Sequence, residues 1–264
     1  MTSAATSPST ACVQKPLAGR TALVTGSGRN LGRGIALGLA RAGCNLVLNG
    51  HRDEAALREV AREIEAAGGQ AMTYLADVSR PAEVHAMVDA AIARFGAVDI
   101  SVSNVGLRMR QAFLEISQED WQRTMDTNLS AAFHLAQAVL PSMKTRGWGR
   151  LIHISGRDGF FPISHRAHNV TCKAGLHALA KAIALEFGEH GVTANTIAPG
   201  KMDTARDERH YPGFQQEWAE HVKKMPLRRL GLPQDVAEAC LYLCLGGEYV
   251  TGQLLHLNGG DHMY

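Results

Sequence analysis

The sequence contains no run of eighteen consecutive apolar residues, so nothing in it reads as a membrane-spanning helix. Neither sign of charge is in excess. A formal net charge of +2 at pH 7 gives no reason to expect nucleic acid or a membrane surface as a partner. The five cysteines form no C-x-x-C pair, which argues against a disulfide framework or a zinc ribbon. Cys240 and Cys244 lie four apart in an apolar helical run, where a core position fits better than a metal site. No metal is expected, and a reduced, cytoplasmic setting follows. Residues 1–18 are rich in Ser, Thr and Ala and lack an apolar stretch. They read as a flexible tail and not as a signal peptide. No linker or composition break divides the rest, so 19–264 is expected to be one domain.

What is present from Thr21 onward is an alternation of short β-type runs with longer helical ones. TALVT (21–25), NLVLN (45–49), AMTYLA (71–76), VDISVS (98–103), RLIHIS (150–155), VTANTIA (192–198) and LLHLN (254–258) predict seven strands. Between them lie helix-length segments, including 53–67, 81–95, a long helix from about 120 to 144, and another through Leu176, Leu179, Ile183 and Phe187. Leu31, Ile35 and Leu39 fall at four-residue spacing directly after the first strand. Strands separated by helices imply parallel crossovers, hence an α/β, doubly wound parallel sheet of Rossmann type with helices on both faces.

TGSGRNLGRG (25–34) occupies the turn between the first strand and the first helix. A dinucleotide fingerprint needs this context: Gly26 allows the tight turn, Gly32 allows close helix–strand packing, and the helix N-terminus faces the pyrophosphate. From here the chain resembles the short-chain dehydrogenase/reductase family, and the likeness runs to the C-terminus. The family pattern T-G-x-x-x-G-x-G aligns with Thr25, Gly26, Asn30 and Gly32, so Asn30 replaces a glycine; asparagine tolerates left-handed backbone angles. Further landmarks match in order: Asp77-Val78 resembles the adenine-contacting pair, and Ser103-Asn104-Val105-Gly106 the segment after the fourth strand. Asn128 matches the helix asparagine that organises the active-site water, and Ala198-Pro199-Gly200 with Met202 and Thr204 the nicotinamide-side segment. The resemblance implies a nicotinamide cofactor held by these residues together with Arg29, Leu31 and Lys173.

NAD enzymes of this type place a carboxylate at the end of the second strand for the ribose 2′-hydroxyl. Here that place reads Asn49-Gly50-His51-Arg52. With Arg29 in the turn, His51 and Arg52 suit a 2′-phosphate, since guanidinium donates two parallel hydrogen bonds. NADP(H) is therefore favoured, with NAD(H) as the alternative.

The resemblance assigns catalysis to a Ser, a Tyr and a Lys in Y-x-x-x-K, working with the helix asparagine. Lys173 fits the lysine, but Asn169 stands at the tyrosine and Gly156 at the serine, with Ser155 one place earlier. An asparagine amide is no general acid near neutral pH. No tyrosine lies between Tyr74 and Tyr211. Three readings stay open: redox chemistry on a carbonyl or activated C=C bond with another proton source, non-redox chemistry on the same scaffold, or a catalytically silent nucleotide-binding subunit. In the first, Lys173, the Asn128 water, Ser155, His168 or His165 supplies the proton. His153, inside an apolar strand, reads as a satisfied core residue. Arg108, Arg110 and Arg157, near His165, Arg166 and His168, follow strand C-termini, where this fold binds ligands, and suit a small anionic substrate; Asp158 is expected to pair with one of these cations. The polar segment at about 202–226 is where the resemblance places a substrate lid, from which Tyr211 reaches the pocket. The resemblance also implies a homotetramer or homodimer built through the helices at 120–145 and 168–188 and the C-terminal strand.

Overall fold

The computed structural model describes residues 15–205 and 214–263. Seven parallel strands form one sheet: β1 (Thr21–Val24), β2 (Asn45–Gly50), β3 (Ala71–Leu75), β4 (Ile100–Ser103), β5 (Gly149–Ile154), β6 (Val192–Pro199) and β7 (Leu254–Leu257). Their order is β3-β2-β1-β4-β5-β6-β7. The helices are α1 (Asn30–Arg41), α2 (Glu54–Ala66), α3 (Pro81–Phe95), α4 (Gln118–Met125), α5 (Ala131–Arg146), α6 (Ala167–Phe187), α7 (Phe214–Val222) and α8 (Pro233–Leu245).

Successive strand side chains point to opposite faces, and the two cores divide accordingly. Ala22 and Val24 join Leu46, Leu48 and Val102 in a core closed by α1, α2 and α8. Leu23, Val47 and Leu151 join a second core closed by α3, α5 and α6. Burial on both faces is why the strands read as nearly continuous apolar runs. The strand order reverses between β1 and β4, and a doubly wound sheet opens its ligand crevice at that point, beyond the strand C-termini.

Two expectations change. Leu17, expected to lie in the flexible segment, is buried and its N–H donates to Ala42 O at 2.9 Å, so its apolar side chain belongs to the core. The single helix expected at 120–144 is interrupted by a π-helical turn at Asp126–Ser130. Such turns recur where a helix must aim a side chain, and this one carries Asn128.

Asp99, just before β4, is buried and ties the lower edge of the sheet. Its carboxylate accepts the Thr21 N–H and the Arg20 guanidinium, each at 2.9 Å. Asp99→Ala leaves that buried N–H without its side-chain acceptor. The expected loss is about 1–3 kcal/mol, read as a lower urea midpoint at unchanged slope; an unmoved midpoint would refute the assignment.

Candidate active site

The turn after β1 is held by two asparagines. The Asn104 amide donates to Thr25 O at 3.0 Å and Gly26 O at 3.3 Å, and its backbone N–H donates to Thr25 Oγ1 at 2.9 Å. Asn49, buried at the end of β2, accepts the Gly26 N–H at 3.4 Å and donates to Ala76 O at 3.2 Å. A Cβ at position 32 would lie 2.1 Å from Gly26 O, so only glycine permits this approach. Asn30 takes φ +49°, the left-handed region expected of it. Its side chain does more than tolerate that angle: it accepts the Ala205 N–H at 3.0 Å and donates to Ala205 O at 3.4 Å. The N-cap position of α1 is Arg29, whose side chain gives no capping hydrogen bond, and the first turn has no acidic residue. Uncapped N–H groups and the positive end of the helix dipole fit a dinucleotide pyrophosphate.

Arg29, His51 and Arg52, expected to face the adenosine, are exposed around the ends of β1 and β2. Asp53, the first carboxylate after β2, is occupied: it caps α2 by accepting the Ala56 N–H at 3.0 Å. Asp77 turns to Ser79, whose Oγ donates at 2.7 Å, and lies 3.8 Å from His51. Val78 is buried.

Beyond the turn, a cleft of about 700 Å³ is lined by Leu31, Asn104, Gly106, Pro199, Gly200, Met202 and Thr204, all expected to hold the cofactor. Its other walls bring together Ser155, Gly156, Arg157, Asp158, Asn169 and Lys173 with Arg108, Arg110 and Arg166. The predicted cofactor and substrate segments, distant in sequence, thus share one cavity.

Within it, Asn128 grips the backbone of Leu107, accepting its N–H at 2.6 Å and donating to its carbonyl at 2.8 Å. Lys173 is buried, and its Nζ donates to Ile154 O at 3.1 Å. Burial, with Arg108 nearby, pushes the Lys173 ammonium down to about 8. The Asn169 amide nitrogen donates to Asp158 Oδ2 at 2.9 Å, and the same oxygen accepts Arg166 at 2.9 Å.

Several expectations need correction. His168 is fully buried and absent from the cleft wall; its Nδ1 accepts the Asn169 N–H at 3.0 Å, so it cannot serve substrate. His165 is exposed on the preceding loop and also lies off the wall. Ser155 reaches the cleft, yet its hydroxyl is 2.8 Å from His177 Nε2 and 3.4 Å from Ile197 O. His177 is held near 4 by burial and by His256, so this pair is neutral. His153 is buried but not satisfied: neither ring nitrogen has a partner among the described residues, and burial holds it near 4. Arg157 lies 3.5 Å from Asp261, and Arg166 is paired with Asp158. Among the described residues, Arg108 and Arg110 have no ion-pair partner. Tyr211 lies outside the described residues, and no described tyrosine lines the cleft. No described group of three His, Cys, Asp or Glu is placed to hold a metal ion, and no described helix is long and apolar enough to cross a membrane.

Sequence reasoning missed Lys201, which lines the cleft together with Glu217 and Trp218 from the segment where the lid was expected. It read past Asn49 as an organiser, although a polar residue closing an apolar strand is a visible signal. The two departures from the family pattern look reversible: a Cβ at Gly156 would meet no atom within 4 Å, and Asn169 already faces the cleft. Gly156→Ser with Asn169→Tyr is expected to create NADPH-dependent reduction of simple ketones, followed by absorbance; a folded, NADPH-binding double variant that stays inert would refute this.

A family model described as Enoyl-(Acyl carrier protein) reductase matches residues 26–262. The chain is 36% identical to 3beta-hydroxysteroid dehydrogenase 1 of Eggerthella lenta, covering 94% of this chain and 95% of that one. It is 33% identical to the 3-oxoacyl-[acyl-carrier-protein] reductase FabG of Staphylococcus epidermidis, covering 92% and 99%. A solved structure from Agrobacterium tumefaciens, provisionally described as a gluconate dehydrogenase, superposes with a TM-score of 0.87 at 33% identity, covering 94% and 98%. With its strand order, glycine turn and catalytic-helix lysine, the chain belongs to the short-chain dehydrogenase/reductase family of NAD(P)-dependent oxidoreductases.

Proposed function

We propose that the protein is an NADP(H)-dependent reductase of a small anionic carbonyl or activated C=C compound, with Lys173 as the proton source. The observation that carries this reading is the shared cleft, in which Lys173 sits beside Arg108 and Arg110, two guanidinium groups without an ion-pair partner among the described residues. Relatives named as a steroid dehydrogenase and an acyl-carrier-protein reductase support the redox class, and leave the substrate to the side chains of this cleft.

A bound nicotinamide would supply the hydride. The chain's own residues do the rest. Arg29 and Arg52 present positive charge, and His51 a ring N–H, where the 2′-phosphate would lie, and no free carboxylate at the end of β2 competes for it. Asn128 fixes the loop carrying Gly106 and Arg108 by gripping Leu107. Arg108 and Arg110 draw the substrate's anionic group into the cleft. Lys173, protonated below about pH 8, has a proton to give at the substrate end. A second reading, non-redox chemistry with the cofactor held structurally, draws support from Gly156 and Asn169. NADPH binding without turnover of any anionic ketone or enone would favour it.

The primary test is a fluorescence titration with NADPH and NADH. NADPH is expected to bind more tightly, and Arg29→Ala with Arg52→Ala to lose roughly ten-fold or more of that affinity while leaving NADH unchanged. Equal binding of the two cofactors would overturn the assignment. The pH profile tests the proton source. Reduction needs the ammonium form, so kcat should be flat below about pH 8 and fall above it as Lys173 loses its proton. A profile with no break between pH 7 and 9 would remove Lys173 from that role.

A further inference from the structure

Asn169 occupies the place of the missing phenol, and its surroundings fix which way its amide points. The side chain is buried at the start of α6, one helical turn before Lys173 on the same face. One end lies 2.9 Å from Asp158 Oδ2 and the other 3.5 Å from the Asn128 amide nitrogen. An ionised carboxylate only accepts, so the end facing Asp158 is the NH₂ group. Arg166, 2.9 Å from the same oxygen, pairs with the Asp158 carboxylate and cancels its charge. The side chains of Arg166 and Asp158 are 15% and 14% exposed, so solvent barely competes for either. Asn169 NH₂ carries two hydrogens. One is taken by Asp158, and the other has no acceptor among the described residues, although Asn169 lines the cleft.

The geometry points to Asn169 as an oxyanion donor: its second N–H binds the substrate's carbonyl oxygen as negative charge grows there, with Asp158 and Arg166 as positioning residues that hold the amide in that orientation. This rests on the reading of the cleft as a carbonyl-substrate site. The amide keeps its proton throughout, so it lowers the energy of an enolate- or alkoxide-like oxygen without acting as an acid. Proton delivery remains with Lys173. The arrangement replaces a donor that gives its proton away with one that does not. It therefore favours substrates whose oxygen bears charge stabilised by conjugation, an enolate before an isolated alkoxide. Left alone, Asp158 would repel such an oxygen; paired with Arg166 it acts as a neutral anchor.

The test uses 4-nitrophenol as an enolate mimic on the full chain without cofactor, at the pH where half of the free dye is ionised. Binding of the phenolate is read from its visible absorbance, so the result does not depend on turnover or on NADPH. The wild-type chain is expected to bind the phenolate and raise the ionised fraction. Asn169→Ala should lower phenolate affinity roughly ten-fold, and Asn169→Asp should reverse the preference toward the neutral phenol. The charge-conserving pair Asp158→Ala with Arg166→Met should lose most of the same affinity although Asn169 remains, because the amide is then free to turn. Thermal melts establish that each variant is folded. Phenolate affinity unchanged within two-fold in folded Asn169→Ala would overturn the donor assignment and place the anion on Arg108 and Arg110 alone. Full affinity in the Asp158/Arg166 pair would overturn the positioning role. Failure of NADPH binding with these phenolate results intact would sink the reductase reading and leave this inference standing.

Discussion

The geometry of the cleft depends on one close approach, that of Gly32 to the carbonyl of Gly26. A side chain at position 32 would collide with that oxygen and with the Asn104 amide, so α1 leaves β1 at this angle only while position 32 is bare. The approach turns the uncapped N-terminus of α1 toward the crevice, where its N–H groups and dipole form an anion site without any charged side chain. Asn104 and Asn49 brace the turn from the strands on either side of β1. Three separate strand ends thus converge on two peptide units. The sheet order alone would bring those ends near one another, but the amide hydrogen bonds set them in place.

The other end of the cleft is governed by desolvation. In Y-x-x-x-K a lysine follows a phenol by one helical turn; here Lys173 follows an amide, which takes no proton. Its ammonium bears the cost of burial, with the Ile154 carbonyl as its one hydrogen-bond acceptor among the described residues and Arg108 nearby, which is why its proton is loosely held. The Asp158–Arg166 pair shows the opposite response to burial. A buried ion pair contributes little to stability against an apolar replacement of the same volume. Its place against Asn169 is better understood through the orientation it imposes than through any gain in folding energy. Arg157 with Asp261 repeats the pattern at the cleft edge, so of the cleft's arginines the charge left for an anionic ligand is concentrated on Arg108 and Arg110.

Strand and helix periodicity were readable because burial on both sheet faces leaves so few polar residues in the strands; NLVLN and RLIHIS carried their assignments unaided. The glycine turn was readable for a related reason, since backbone contact tolerates no substitute at Gly32. The π-turn at Asp126–Ser130 was not: it carries Asn128, whose hydrogen bonds to the Leu107 backbone are a contact that no local pattern encodes. Nor could spacing separate His168 from a usable catalyst. It sits one residue from Asn169, and only the rotation of α6 places one in the cleft and the other behind it.

By itself the sequence determined the α/β class, the position of the dinucleotide turn, the lysine of the catalytic helix and the absence of its tyrosine. These follow from backbone sterics and from residue chemistry at fixed spacing, both local. Tertiary structure decided which cations stay unpaired, which histidines are sealed away, and which way the Asn169 amide points. Those depend on what burial brings within hydrogen-bonding distance, as when Asp158 on one loop meets Arg166 and Asn169 from another segment, and desolvation makes the choice of partner binding.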